Sequence, residues 1–277
     1  MRYKIIVDSC CDLTPQLKEK MEILSVPLSM RLGNREYVDD DSLDINEFRN
    51  DMKACTEKTG SASPAPYVYQ SAMESATDSF VVTLSSQLSG SHQNAVLAKK
   101  CVEENKTANA HVFDSKSASA GETLIALKIY ELILQDLPKE NIILKISTFI
   151  DQMKTYFVLE NYDNLQKNGR LNKITGTLAS ILGIKLVMGS DGDGNIALYA
   201  KPRGTNQMIE RLLSLIKESG KNTDDENIVI SHCNNPHLAE RLATAVRERF
   251  NFKEIFIIPT GGLSSLYTDD KGIVIAF

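Results

Sequence analysis

The sequence predicts an α/β protein of two domains, the first a three-layer parallel sheet and the second a two-layer mixed sheet. Three observations carry this. Short apolar, β-branched runs alternate with helical stretches through the first half, as βαβ units do. Small hydroxyl residues fill the loops after those runs. Beyond about residue 155 the order changes, and two apolar runs flank a Gly/Asp turn as in a β-hairpin. The expected domains are 1–155 and 156–277.

In chain order, YKIIVD (3–8) is a buried strand. Thr14-Pro15 opens a helix, with proline in its first turn. ILSVPLSM (23–30) is a second strand, and polar REYVDDDSLD leads to a helix starting near Asn46. SFVVTL (79–84) is a third strand, followed by a helix from about Ser91. AHVFDS (110–115) is a fourth, followed by helices over roughly 118–135 and 139–153. The second half begins with strand-like TYFVLEN (155–161), a helical stretch broken at Gly169, and the hairpin IKLVMGSDGDGNIALYA. Helices over 205–219 and 236–250 alternate with strands NIVISH (227–232) and EIFIIP (254–259), and GIVIAF (272–277) ends the chain.

Composition narrows the function. Forty-two per cent apolar and 24% charged residues in 277 is ordinary for a soluble chain that builds its own core. The net charge of −5, from 31 basic and 36 acidic side chains, argues against nucleic acid as the main partner. The five cysteines (10, 11, 55, 101, 233) have no repeated spacing and read as reduced cytoplasmic thiols. The N-terminus reads as a strand rather than a signal peptide, and no apolar run is long enough to span a bilayer.

Several motifs fail on inspection. Asp191-Gly192-Asp193-Gly194-Asn195 resembles a calcium loop, but the twelfth position, where a glutamate is needed, is Pro202. The four histidines lack metal-ligand spacing, so no metal is expected. Neither a GxGxxG fingerprint nor a P-loop is present. The stretch "LSSQLSGSHQNA" (84–95) offers Ser89 as a nucleophile with His92 near it. It lacks the first glycine of a nucleophile elbow, and His92 falls in the first turn of the following helix. What remains is a set of hydroxyl-rich loops: 8–14, 85–91, 114–121 and 58–66. Singly, such loops cap helices. Together at the C-terminal edge of a parallel sheet, they build a pocket of hydroxyls and helix-terminal amides suited to a carboxylate or phosphate.

These segments, in this order, resemble the DegV family of bacterial proteins. The motifs are VDSCCDL, REYVDD, KTGSASP, SSQLSGSHQNA, VFDSKSAS, KNGRLNKITGTLASILGIKLVM and KPRGT, and they run along nearly the whole chain. The resemblance implies two α/β domains with a long-chain fatty acid held between them. In some members the protein is the binding subunit of a fatty acid kinase, whose separate ATP-binding subunit phosphorylates the carboxylate. It implies a carrier without a cofactor, the fatty acid being its ligand. The family's carboxylate contacts fall on Thr59, Ser89 and Arg203. Ser61 lies beside Thr59, in Gly60-Ser61-Ala62 where members commonly read Ser-Gln-Pro. Tyr267 stands about where many kinase-partner members carry a histidine. A tyrosine hydroxyl can donate to a carboxylate, but tyrosine does not titrate near neutral pH as histidine does.

The expected site is therefore Thr59, Ser61, Ser89, Gly90, Ser91, Arg203 and Tyr267. Gly90 lets the backbone approach the ligand and Ser91 lends an amide at a helix start. Arg170 and Lys173 complete a basic set with Arg203, and Arg203 is expected near the site mouth. Ile174, Leu178, Ile181, Leu182 and Leu186 are candidates for lining the tail, and also for ordinary core. The expected partners are a long-chain fatty acid and an ATP-dependent kinase subunit, with at most transient membrane contact. The alternative is an acyl-transfer or hydrolytic enzyme with Ser89 as nucleophile.

Overall fold

The computed structural model describes residues 3–171 and 184–277. Along the chain run β1 (Lys4–Asp8), α1 (Pro15–Lys20), β2 (Leu24–Val26), β3 (Ser29–Leu32), β4 (Arg35–Val38), α2 (Ile45–Ala54) and β5 (Thr59–Ala62). Next come α3 (Pro66–Glu74), β6 (Asp78–Thr83), α4 (Ser91–Glu104), β7 (Asn109–Asp114), α5 (Ala120–Leu134) and α6 (Lys139–Gln152). The rest comprises β8 (Thr155–Val158), α7 (Asp163–Lys167), β9 (Val187–Ser190), β10 (Ile196–Ala200) and α8 (Gly204–Glu218). It closes with β11 (Asn227–His232), α9 (Pro236–Arg247), β12 (Glu254–Pro259), α10 (Gly262–Thr268) and β13 (Ile273–Ala276).

The first sheet, β2-β1-β6-β7, is wholly parallel. Parallel strands covered on both faces read as unbroken apolar runs, and Ile5, Ile6 and Val7 are all fully buried. Ile6 and Val81 face Tyr69, Met73, Ala95 and Ala98 of α3 and α4. Ile5, Val7, Phe80 and Val82 face Leu124, Ile129, Ile142 and Ile146 of α5 and α6. This is the expected three-layer arrangement.

The second sheet, β10-β9-β8-β13-β11-β12, is mixed: only β11 and β12 run parallel. Leu212 and Ile216 of α8 and Leu242 and Val246 of α9 cover Ile228, Ile230 and Ile275 on one face. On the other face, Val229, Val274 and Ala276 join the core around α5. Helix α5 buries 11 of its 15 residues, so it has no solvent stripe and packs against both sheets. The expected boundary after residue 155 falls one residue inside β8.

The sequence reading missed one sheet. The single strand expected over 23–30 breaks at Pro27, which carries no N–H for a ladder. Its second half, β3, turns away to form an antiparallel sheet, β4-β3-β5, from segments read as polar connections. Alternation decides this: Met30 and Leu32 point inward against Phe48, Leu263 and Leu266, while Arg31 faces solvent. The short helices α7 and α10 were also not expected.

Candidate functional site

A narrow cavity lies where the loops after β1, β6 and β7 meet β8, β9, β10 and β13. Its volume is about 110 Å³, against the 10–15 Å³, roughly, that one water requires. That is room for a long thin chain. Leu28, Leu84, Leu88, Phe157, Leu159, Leu165, Ile196, Leu263 and Val274 supply most of the wall. The hydroxyls among the lining residues largely bond to the protein instead. Ser117 pairs with Thr155 at 2.7 Å, Ser190 donates to the Lys116 carbonyl at 2.8 Å, and Thr268 donates to the Ser264 carbonyl at 2.7 Å. The cavity therefore presents mainly carbon along its length.

Buried carboxyls hold this wall together. Asp8, at the end of β1, accepts from the Cys10 and Leu84 amides and from the Ser91 hydroxyl at 3.1, 2.9 and 2.7 Å. Asp12 accepts from Ser119 and from the Gly261 amide. Asp39, after β4, accepts the Gly262 and Leu263 amides at 2.9 Å each, a favourable charge at the head of α10. Gly262 has no room for a side chain, being packed on Asp39, Leu43 and Met30. Arg49 reaches the Thr260 carbonyl and Ser265 hydroxyl at 2.9 and 3.2 Å. So VDSCCDL and REYVDD fasten the loops and α10 against one another. Burial pushes the carboxyls of Asp8 and Asp12 up, and that of Asp39 up to about 6. Glu122 on α5 is also fully buried, and neither oxygen has a hydrogen-bond partner among the described residues. Burial, then the charge of Asp8, push its carboxyl well above the usual range.

One group of polar side chains faces the cavity together. Ser61 on β5 and Tyr267 on α10 share a 2.8 Å hydrogen bond. The Arg170 guanidinium lies 5.6 Å from the centre of the Tyr267 ring, and its Nε donates to the Leu88 carbonyl at 3.2 Å. Ser89 follows directly, its Oγ accepting from the Ser91 amide at 3.2 Å. All four residues line the cavity. Since a hydroxyl pair uses one of its two protons, the other stays available. The Ser89 proton and Arg170 Nη2 have no acceptor among the described residues.

Of the expected site residues, Ser61, Ser89 and Tyr267 are thus brought together, and four lie elsewhere. Thr59 is buried beside the group but off the wall, its hydroxyl donating to Asn164 Oδ1 at 2.7 Å. Gly90 caps α4 without lining the cavity. Ser91 is fully buried against Asp8 and the Tyr69 hydroxyl, and its amide is already taken by Ser89, so the role expected for it is corrected to a structural one. Arg203 is exposed before α8, bridged to Ile184, and off the wall. Arg170, the weaker candidate in sequence, takes the wall position because the turn after α7 folds back onto the Leu88 carbonyl. Lys173, Ile174, Leu178, Ile181 and Leu182 lie outside the described residues, and half-buried Leu186 packs with Leu159, Leu165 and Met188. Lys116 and Ser117 to Ser119 reach the wall without having been named; their signal was the quoted DSKSAS loop.

The geometry gives Ser89 no base. His92 Nδ1 meets the Thr83 hydroxyl at 3.2 Å instead. The hairpin tip is a turn: Asp191 Oδ1 accepts the Asp193 and Asn195 amides at 2.9 and 3.0 Å, with Gly192 and Gly194 at φ 98° and 92°. Among the described residues no cluster of acidic, histidine or cysteine side chains could hold a metal, and no helix is long and apolar enough to cross a membrane.

Comparison with known proteins matches residues 2–277 to a family model described as an uncharacterised protein of the DegV family. A DegV domain-containing protein of Streptococcus pneumoniae (strain ATCC BAA-255 / R6) is 36% identical, over 100% of this chain and 99% of its own. A crystal structure of a DegV family protein from Ruminococcus gnavus ATCC 29149, refined with vaccenic acid, superposes with a TM-score of 0.95 at 37% identity, covering 100% of both chains. The fatty acid kinase B3 protein of Streptococcus pneumoniae, loaded with linoleic acid, superposes with a TM-score of 0.91 at 35% identity, covering 100% of this chain and 99% of that one.

Proposed function

The chain belongs to the DegV family, and from that premise we propose that it binds one long-chain fatty acid in the cavity and presents the carboxylate to a partner kinase. The observation that carries this is a thin carbon-lined cavity whose spare polar donors gather in one group: Ser61, Ser89, Tyr267 and Arg170. An acyl chain needs only carbon along its length, each buried methylene contributing about 0.8 kcal/mol. A carboxylate needs a few donors, best with one cation. The fatty acids named in the two structural relatives support the same ligand.

Thr59 and the Gly90 backbone stand behind this group as supporting residues, and Arg203 serves outside the pocket, on the surface a partner would meet. The kinase would be a separate ATP-dependent chain, and likeness to the kinase B3 protein supports it. The setting is the cytoplasm, where the five unpaired cysteines stay reduced, with at most brief contact with a membrane for loading. In this reading the chain is the carrier, split functionally into 1–155, which supplies most hydroxyls, and 156–277, which supplies much of the tail wall.

The test is denaturation of protein purified from a bacterial host, with mass spectrometry of what is released. One long-chain fatty acid per chain is expected. Release of no lipid, together with failure to take up added fatty acid, would defeat the reading. An acyl adduct on Ser89 would favour the enzyme instead.

A further inference from the structure

Lys221 lies after α8, away from the residues that line the cavity. Its ammonium lies 5.4 Å from the centre of the Phe149 ring on α6 and 5.8 Å from that of Phe277 at the chain end. It is half-buried, and no carboxylate lies within ion-pair distance among the described residues. Three charged groups bear on it: Glu226, Lys154 and Lys128. Glu226 is already paired with Lys128 at 3.0 Å, and Lys154 has no ion-pair partner among the described residues. The site therefore combines an amine, a second unpaired cation and an apolar floor of two rings.

We propose that Lys221 is an acylation site whose amine accepts the acyl group of an acyl phosphate. The cations suit the phosphate of such a donor and the rings suit its acyl group. The amine lone pair attacks the carbonyl carbon, and a C–N bond forms. The C–O bond to phosphate breaks, inorganic phosphate leaves with that electron pair, and the amine proton passes to water. Burial first, then the neighbouring Lys154 and Lys128, lower the Lys221 pKa to about 8, with Glu226 opposing them. The ring faces also favour the charged form, but both distances are near the outer limit of that attraction, about 6 Å. At pH 7.5 an amine of that basicity is about one-quarter neutral, against about one part in a thousand for an unperturbed lysine. Acylation also removes a charge held out of water beside other cations.

The experiment treats the full chain with acetyl phosphate between about pH 6.5 and pH 9.5 and follows every lysine by peptide mass spectrometry. Lys221 is expected to be acetylated at about pH 7.5 roughly five-fold faster than the median lysine, with its rate levelling above about pH 8. A rate at or below the median, or one still climbing at about pH 9.5 like those of exposed lysines, overturns the proposal. Lys154→Gln should slow acetylation of Lys221 by acetyl phosphate more than by an uncharged acetyl ester. Equal slowing with both reagents overturns the role given to the phosphate.

Discussion

Ser61 and Tyr267 meet hydroxyl to hydroxyl at 2.8 Å across 206 residues of sequence. One belongs to the small sheet that the sequence hid, the other to a helix anchored by Asp39. Replacing Tyr267 with Phe, Ser61 with Ala, and both together forms a double-mutant cycle. Chemical denaturation should show a coupling of about 0.5–1.5 kcal/mol. Tyr267→Phe should also weaken fatty acid binding about five-fold, read by titration with a fluorescent fatty acid. Additive effects on stability would mean the bond contributes nothing.

Ser89 and Ser91 are two residues apart and should behave oppositely. Ser89→Ala removes a spare donor facing the cavity, so affinity should fall about five- to ten-fold with stability nearly kept. Ser91→Ala takes a donor from Asp8 and a partner from Tyr69, both fully buried. It should cost roughly 1–3 kcal/mol of stability by urea denaturation. The reverse pattern would exchange their roles.

For the arginines, binding decides. Arg170→Ala should weaken fatty acid binding about ten-fold or more, because a charged donor on the cavity wall is lost. Arg203→Ala should leave binding within about two-fold, because the residue is exposed and off the wall. Calorimetric titration with the same fatty acid compares them, and an equal loss from both would return Arg203 to the pocket.

Much of this was legible in sequence for physical reasons. Continuous apolar strands such as KIIVD and FVVT, and hydroxyl loops at their ends, announced the parallel sheet and the edge where the cavity forms. Ser61, Ser89 and Tyr267 were found through resemblance, and the fold brings them together. The small sheet stayed hidden because three or four residues of mixed polarity carry too little periodicity, and Pro27 masked the change of sheet. Ser91 misled because a serine at a helix start reads as a cap, whereas here its hydroxyl turns inward to Asp8, 83 residues away. Between Arg170 and Arg203 only tertiary contact could choose.

Glu122 makes a prediction about pH. Its carboxyl is raised above its ordinary 4.5, so the folded chain holds the proton more tightly than the unfolded chain. Its contribution is complete below that ordinary value and is lost as the pH rises through the folded value. Asp39, raised from 3.8 to about 6, acts in the same direction over that lower window. Glu122→Gln keeps the shape of the neutral acid and removes its ionisation. Its Tm should exceed that of the parent by about 2–4 °C at about pH 8 and match it at about pH 4. A Tm for Glu122→Gln below that of the parent at about pH 8 would show that the carboxyl is needed as an anion.

Helix α5, claimed by both sheets, has a consequence for how such chains can change over generations. A fragment ending near residue 155 would leave its other flank bare, and a fragment starting there would lack its floor. The halves therefore cannot be traded between relatives as interchangeable modules. A recombinant joined at that seam should aggregate unless α5 comes from the same parent as β11 and β13, so this stretch is inherited as one block.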